Sequence, residues 1–447
     1  MNGQFDFLVI GDDEPSLAAA AAAAKAHARV ALLTSADRKK RAAAASPAIA
    51  NFVWRRLDLQ DYDLTLEPVS ARVTLLKEGA PVATYANARE TAEELAEKGS
   101  PDHLLWRDFV EDMTLLAGAP PYAPAGYEKP GAPDIKAFAA LLADPARLEQ
   151  AARLFGSCGD ILDDYFSDER LRSHLGAHAL GAGGRGDREA GSAQALAEFL
   201  DADSWRVRAP KGGVALRAVL EQVCQDMGVE TTHKKPVDVI ANGKFSQISF
   251  DGDDKIKVKH LFFATPAAAR QWGVSDGRSA QGSGMLSEGA HADFTVRFKL
   301  NDTIEAPLNN PGAIFQVIDD GGDIQAARNA ALQGRLCDEI PVEFEFAGNG
   351  EVIARSAYLP AAFFEDGEWR AWTGQDRQAA ASIIKDRLSS RMPGFASLIR
   401  RTETELSAPP SGASPFANCG RVIIQPHRHN AISAAVKLID QVMAGDD

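Results

Sequence analysis

Hydrophobic and polar positions at the start of the chain predict a strand, a helix and a second strand. Residues 7–10 form a short apolar run that ends at Gly11, residues 17–27 are rich in alanine, and residues 30–33 are apolar again. In a βαβ unit of this kind, the N-terminus of the helix points to the place where the pyrophosphate of a dinucleotide lies. The opening pattern therefore predicts a unit of the dinucleotide-binding type.

The rest of the pattern predicts a second unit and a return to the first. Residues 118–133, rich in Pro and Gly, predict a loop or flap. Residues 209–213 open a helix, several strands follow, and residues 420–443 predict a last strand and helix. Helical spacing predicts helices over 88–98, 103–117, 135–144, 147–155, 159–174 and 374–393. Alternation predicts two strands around a turn at 78–81, and an antiparallel sheet from 294–300, 313–318, 340–346 and 352–358.

Length, charge and cysteine usage narrow the class of protein. A chain of 447 residues exceeds one ordinary core, which predicts two interwoven domains. The net charge of −14 argues against nucleic acid as a partner. No apolar run is long enough to cross a bilayer, although peripheral membrane contact stays open. The N-terminus lacks a secretion signal and the four cysteines are widely spaced, so we expect a cytoplasmic protein without disulfides or structural zinc.

The turn after the first strand departs from the G-x-G-x-x-G pattern. Gly11 keeps the first glycine, whereas Asp13 takes the second position and Ser16 takes the third. The second glycine normally lets the backbone approach the pyrophosphate. A carboxylate there adds bulk and a like charge, at a cost on the order of a few kcal/mol for charges about 4 Å apart. Because acids stabilise a helix N-terminus, we expect residues 12–14 to cap the helix themselves.

The order of the predicted blocks resembles that of the flavin-dependent phytoene desaturase and amine oxidase superfamily, most closely its phytoene dehydrogenase-related branch. The stretches that carry the resemblance are "DYFSDERLRSHLGAHALGAGG" (164–184), "APKGGVALRAVLEQVCQDMGVETTH" (209–233) and "VKHLFFATPAAARQW" (258–272). The resemblance implies an α/β fold. In it, a Rossmann-like FAD-binding domain (1–56, 205–275 and 415–447) is interwoven with an α+β substrate or cap domain (57–204 and 276–414). That second domain would contain an antiparallel sheet and a helical insertion.

The resemblance also implies where a flavin would be held. The acid that bonds the adenosine ribose in the family falls at Thr34, and the Gly-Asp turn that holds the ribityl and phosphate region falls near Gln425 and Pro426. Proline offers no amide donor. Further positions equivalent to the flavin site are Val239 and Thr265. The eight positions equivalent to the flavin site are Gly11, Asp13, Ser16, Thr34, Val239, Thr265, Gln425 and Pro426. Three separate flavin contacts are altered: the turn after the first strand, the ribose position at Thr34, and the turn near Gln425 and Pro426.

These departures favour a pseudoenzyme that has lost FAD and binds an apolar ligand, isoprenoid or lipid-like, or a partner protein. Rab GDP dissociation inhibitors, which share the family's fold, set a precedent for such a role. The alternative is an active FAD-dependent oxidoreductase acting on a lipid-like substrate. A third reading keeps another nucleotide, with Thr34 and the basic residues 38–41 accepting a 2′-phosphate. No catalytic residue is assigned. His427 and His429 could ligate a metal, but a polar turn is the simpler interpretation, and no metal is expected.

Overall fold

A computed structural model describes the larger part of the chain. It covers residues 3–11, 13–34, 51–64, 69–118, 153, 156–181, 186–200, 214–234, 236–242, 245–251, 254–264, 291–347, 350–407 and 422–424, together with single residues and pairs between 432 and 443. Strands and helices both occur in quantity, so the protein is of the mixed α/β class.

The strands are grouped into two seven-stranded sheets and one hairpin. They are β1 (Gly3–Ile10), β2 (Val30–Leu33), β3 (Arg72–Leu75), β4 (Val82–Thr84), β5 (Glu230–Thr232), β6 (Pro236–Asn242), β7 (Phe245–Phe250), β8 (Lys255–Phe263), β9 (His291–Leu300), β10 (Ile314–Val317), β11 (Val342–Phe346), β12 (Glu351–Pro360), β13 (Phe363–Glu365), β14 (Glu368–Arg370), β15 (Ile399–Ser407) and β16 (Val422–Ile424).

Eleven α-helices are described. They are α1 (Glu14–Lys25), α2 (Asn51–Arg56), α3 (Ala88–Glu97), α4 (Trp106–Gly118), α5 (Cys158–Tyr165), α6 (Glu169–Gly181), α7 (Ala193–Leu200), α8 (Val214–Asp226), α9 (Gly322–Leu332), α10 (Gly374–Arg391) and α11 (Phe395–Leu398). Short 3-10 turns occur at Leu59–Asp61, Pro101–Leu104 and Pro307–Asn309.

The first sheet has the strand order β5-β2-β1-β8-β7-β6, with β16 paired to β8. The pairs among β5, β2, β1, β8 and β16 are parallel, whereas β6, β7 and β8 form an antiparallel meander. Residues 7–10 of β1 are buried, as is typical of a parallel strand covered on both faces. The predicted βαβ opening is confirmed, since α1 connects β1 to β2.

Helix α1 packs closely because its side chains are small. Residues 18–23 are all alanine and all fully buried, and α1 lies against α8 and the first sheet. Alanine combines the highest helix propensity with a side chain that leaves room for close packing. The alanine run is therefore a core element of the first unit.

The second sheet has the order β15-β9-β12-β11-β10-β3-β4. Five of its six pairings are antiparallel and the β10–β3 pairing is parallel, so the expected antiparallel sheet is mixed. Strand β15 and helix α9 are absent from the sequence-based predictions. Most of the core of this second unit forms where helices pack on the sheet, as the cluster containing Phe315, Phe344 and Ile384 shows.

One predicted helix is two separate helices in the structure. The pattern predicts a single helix over 159–174, but the chain leaves α5 after Tyr165 and enters α6 at Glu169. The buried carboxylate of Asp102 accepts hydrogen bonds from the backbone N–H groups of Ser167, at 3.1 Å, and Asp168, at 2.7 Å. A tertiary contact thus satisfies backbone donors that would otherwise bond within a continuous helix.

Candidate functional site

The turn between β1 and α1 is closed by its own side chain. Gly11 has a φ of 141°, a backbone conformation available chiefly to glycine. Asp13 is the N-cap of α1, and its carboxylate accepts a hydrogen bond of 2.9 Å from the backbone N–H of Ser16. The self-capping expected from the sequence is therefore observed at Asp13.

This cap determines what the helix end can bind. In a dinucleotide-binding turn, the backbone N–H groups of the first helical turn point at the phosphates. Here the N–H group of Ser16 already donates to Asp13, and the capping carboxylate carries the same charge as a phosphate. A pyrophosphate in the usual Rossmann position would have to displace this cap against like-charge repulsion. The residues of this turn do not fit that group.

Glu14, the first residue of α1, adds a second acid at the same place. Its side chain is almost fully buried, at 7% exposure. The pKa of Glu14 is raised to about 7, chiefly by burial and to a smaller extent by the like charges of Asp13 and Glu405, whereas a backbone hydrogen bond and Arg217 on α8 act in the opposite direction. A carboxyl group whose pKa is raised to near 7 by burial is a common feature of functional sites.

Thr34 lies at the carboxyl end of β2, as the sequence predicted for the ribose position. Its backbone N–H donates to the carbonyl of Thr232 at 3.0 Å, and its Oγ1 lies 2.6 Å from Nδ1 of His233. Thr34 itself is buried, and His233 is exposed. The Thr34 hydroxyl therefore already has a protein partner, His233, which directly follows β5.

The other predicted cofactor positions lie apart from this turn or outside the described residues. Val239 is buried on the edge strand β6, opposite Ile248, in an apolar cluster with residues of β1 and β8. Thr265, Gln425 and Pro426 lie outside the described residues, as do His427, His429 and residues 38–41. Whether these residues meet at one ligand stays a prediction.

The second sheet carries a line of polar side chains that sequence reasoning missed. Directly paired residues on neighbouring strands project from the same face of a sheet. The register places six such residues side by side, and we call them the polar row: Thr74, Gln316, Glu343, Arg355, Thr295 and Glu405. The signal was visible in "VEFEF" and "RTETELS", where acids occupy every second position of a strand.

A second line of charges runs beside the polar row on the same face. Arg297 pairs with Glu351 at 2.7 Å, and Lys299 lies 3.6 Å from Glu351 and 3.4 Å from Glu403. Within the polar row, Nη2 of Arg355 lies 2.6 Å from Oε1 of Glu343. The opposite face bears the aromatic core residues of the sheet. The two faces of the sheet therefore differ sharply in polarity, although Thr74, Gln316 and Glu343 on the polar face are buried.

One end of the polar row is buried beneath α6. His174 lies between two hydroxyl groups, with Nδ1 2.8 Å from Thr74 Oγ1 and Nε2 2.9 Å from Thr84 Oγ1. Gln316 donates from Nε2 to the carbonyl of Ala177 at 3.1 Å. Burial, aided by Arg72 and Lys98, lowers the pKa of His174 to about 3, so the ring is neutral near pH 7. This end is a closed polar core.

The other end of the polar row is partly open. The side chain of Arg355 is 39% exposed, and Thr295 and Glu405 are half-buried. The negative charge of Glu405 makes a small contribution to the raised pKa of Glu14.

No group of three or more His, Cys, Asp or Glu side chains among the described residues is arranged to hold a metal ion. No helix in the same part of the chain is long and apolar enough to cross a bilayer.

Comparison with known proteins identifies the fold. No protein-family model matches the sequence, and none of the curated proteins matches it either. Among solved structures, a putrescine oxidase variant from a redesign of cofactor binding aligns with a TM-score of 0.54 and 14% identity, over 100% of this chain and 99% of its own. Cyclohexylamine oxidase from Brevibacterium oxydans aligns with a TM-score of 0.50 and 12% identity, over 99% of each chain.

A third similar structure is a RAB GDI from Plasmodium falciparum, with a TM-score of 0.52 and 8% identity over 100% of this chain and 99% of its own. At such identities the likeness shows the fold alone. The chain has the Rossmann-like flavoprotein fold of amine oxidase-like structures, which confirms the expected fold class. The phytoene dehydrogenase-related branch stays a prediction.

Proposed function

We propose that this protein is a pseudoenzyme of the flavoprotein fold, which does not bind FAD and instead binds an apolar ligand, isoprenoid or lipid-like, or a partner protein. The observation that supports this most directly is the hydrogen bond from the Ser16 N–H to the Asp13 carboxylate, 2.9 Å long. It uses a donor of the helix N-terminus and adds a fixed negative charge where a pyrophosphate would need positive potential.

Two further features support the proposal. Glu14 adds a buried carboxyl group to the same helix end. Thr34 provides a hydroxyl, already paired with His233, where the family resemblance places a carboxylate acceptor for the ribose. Asp13 and Glu14 together disfavour the pyrophosphate at the helix N-terminus, and Thr34 weakens the separate contact to the ribose.

The alternative, an FAD-dependent oxidoreductase acting on a lipid-like substrate, makes the opposite prediction for the same turn. The similarity of the whole chain to two amine-oxidizing enzymes keeps this alternative open at the level of the fold. An isoprenoid or lipid-like ligand, or a partner protein, remains a prediction that rests on the family resemblance.

FAD titration of the purified protein, followed by calorimetry and by quenching of flavin fluorescence, tests the proposal. We expect no saturable binding to the wild type. The Asp13→Gly variant removes the carboxylate at little cost to the cap, because glycine is a tolerated N-cap residue, and should gain measurable FAD affinity. Asn87→Gly is the matched control, since Asn87 caps α3 in the same way, by accepting from the Arg89 N–H at 3.0 Å. Stoichiometric binding by the wild type would contradict the proposal.

A further inference from the structure

The hairpin of β13 and β14 presents an aromatic pair at the surface. Its turn residues, Asp366 and Gly367, have φ values of 51° and 85°, the positive values that a tight two-residue hairpin requires. Phe364 and Trp369 lie directly opposite each other with ring centroids 5.1 Å apart, and Phe364 is 44% exposed. Large aromatic side chains are enriched at protein interfaces, so this pair marks a candidate binding surface.

The base of the hairpin is anchored on the second unit. Phe363 is buried, its ring lies 5.0 Å from that of Trp372, and the Arg370 guanidinium lies 4.6 Å from the Phe363 ring centre. Arg370 also bonds both carboxylate oxygens of Glu365, each at 2.7 Å, and those of Asp376 at 2.6 and 3.0 Å. The hairpin is therefore pre-formed, and a pre-formed surface loses less conformational entropy when it binds a partner.

The turn end of the hairpin is acidic. Residues 363–370 contain three acids and one base, and the base, Arg370, is already bonded to the acid Glu365. The other two acids, Asp366 and Glu368, are exposed, and Glu368 directly precedes Trp369 in the chain. Two negative charges thus remain next to the aromatic pair, and this combination suits a basic partner.

We propose that the hairpin Phe363–Arg370 binds a short, arginine-containing segment of a partner protein. An arginine of the segment stacks on the rings of Phe364 and Trp369, and its basic groups pair with Asp366 and Glu368. Each strand has three residues and spans only about 10 Å, so the surface suits a few residues rather than a standard interface of about 1,600 Å². This inference names the partner class for the partner-protein form of the proposed function and rests on it.

Three other occupants fit the hairpin less well. An anionic lipid surface would be repelled by Asp366 and Glu368. An uncharged apolar ligand would desolvate the same carboxylates without pairing them, which costs free energy. A second copy of this chain would bring an equal charge of −14 to the contact.

The peptide acetyl-GRLRG-amide, titrated into the wild-type protein and followed by calorimetry, tests the charge requirement. We expect saturable binding with a dissociation constant of about 10 to 100 µM, as suits a small interface. Acetyl-GQLQG-amide keeps the length and the leucine but lacks the charges, and should bind about tenfold more weakly. Equal affinity of the two peptides, or no binding of acetyl-GRLRG-amide, would overturn the inference.

Charge variants of the hairpin locate the site. Asp366→Asn combined with Glu368→Gln removes both negative charges, and Asn before Gly367 preserves the turn because it also favours a positive φ. This double variant should weaken binding of acetyl-GRLRG-amide about tenfold without a loss of thermal stability. Glu78→Gln combined with Glu305→Gln removes two exposed acids elsewhere and is the control for net charge. Equal weakening by both double variants would overturn the assignment.

An aromatic variant tests the stacking contact. Phe364→Ala removes the exposed ring and should also weaken binding of the peptide about tenfold. Leu308→Ala, which truncates a side chain that is 50% exposed elsewhere on the surface, is the control and should bind the peptide as the wild type does. Binding of phosphatidylserine vesicles, or self-association, that Phe364→Ala abolishes would assign the hairpin to a lipid surface or to a second copy and overturn the inference.

FAD titration of the same samples separates this inference from the proposed function. Protein that binds FAD and also binds acetyl-GRLRG-amide through the hairpin would refute the pseudoenzyme but not the hairpin site. Protein that binds neither would refute the hairpin site and leave the pseudoenzyme standing.

Discussion

The carboxylate of Asp13 and the backbone N–H of Ser16 form a hydrogen bond of 2.9 Å at the start of α1. The two residues occupy the second and third glycine positions of a dinucleotide-binding turn. The bond therefore keeps the helix that the fold requires while replacing the contact that a cofactor would make. The stability of α1 and its lack of fit to a pyrophosphate have the same physical origin.

The cap predicts a local stability effect. Asp13→Ala removes the side-chain acceptor of the Ser16 N–H and should lower the free energy of unfolding by about 1 kcal/mol, the usual cost of losing an N-cap side chain. Urea denaturation measures the loss, and Asp13→Ser should restore most of it. An Asp13→Ala variant as stable as the wild type would show that the bond does not contribute.

The raised pKa of Glu14 predicts a loss of stability between about pH 4.5 and pH 7. Its pKa is about 7 in the folded protein and has an ordinary value of 4.5, so the folded state binds more protons between these two values. The contribution of Glu14 to the free energy of unfolding is fully present below pH 4.5 and is lost as the pH rises through 7. The loss is about 3 kcal/mol, at about 1.4 kcal/mol per pH unit. Glu14→Gln should remove this loss.

Urea denaturation of the wild type and Glu14→Gln at pH 5 and pH 8 measures the Glu14 effect. The variant should be the more stable protein at pH 8 only. Glu111→Gln, which changes an exposed acid on α4, is the control and should leave the pH dependence unchanged. A wild type and a Glu14→Gln variant with parallel pH profiles would refute the burial argument.

His174 predicts the opposite trend on the acid side. Its pKa is lowered from 6.5 to about 3, so the unfolded state binds more protons between these values. The stability that His174 contributes is present above pH 6.5 and is lost as the pH falls towards 3, by about 1.4 kcal/mol per unit. His174→Gln should be less stable at pH 7, because the bonds to Thr74 and Thr84 change, yet its stability should fall less steeply between pH 6 and pH 4.5. An unchanged slope would count against a neutral buried ring.

The surroundings of Gly334 predict that Gly334→Ala loses stability through a steric clash, which Gly99→Ala can separate from the effect of backbone strain. It has a φ of +70°, and a Cβ atom there would lie 2.5 Å from the Phe364 nitrogen and 2.6 Å from the Trp369 ring. Gly99 has a similar φ of +72° with no atom within 4 Å of such a Cβ. Gly99→Ala should cost about 1 kcal/mol from strain alone, and Gly334→Ala should cost clearly more. Thermal unfolding compares them, and equal losses would refute the close contact.

The sequence predicted the parts of the fold that depend on local periodicity. The opening βαβ unit and the strands of 291–360 follow from apolar runs and alternation, and the apolar residues of these patterns are buried in the structure. The break between α5 and α6 was beyond such reasoning, because it depends on Asp102, a residue more than sixty positions away along the chain. Strand β15 was missed because charged and hydroxyl residues fill it.

The candidate site was predictable only in part. Asp13 could be identified because it breaks a known motif, and its capping role follows from helix electrostatics. The polar row could not, because its members come from six strands and their alignment depends on sheet register. The burial of Glu14 likewise depends on tertiary packing that local sequence patterns do not show.

The flavin content of the wild-type protein as purified shows whether this protein of flavoprotein fold holds FAD. The measurement is the absorbance spectrum of the native protein, together with that of the supernatant after heat denaturation. The account predicts no flavin bands in either spectrum, even when FAD is added before gel filtration. One equivalent of FAD per chain in the supernatant would contradict it.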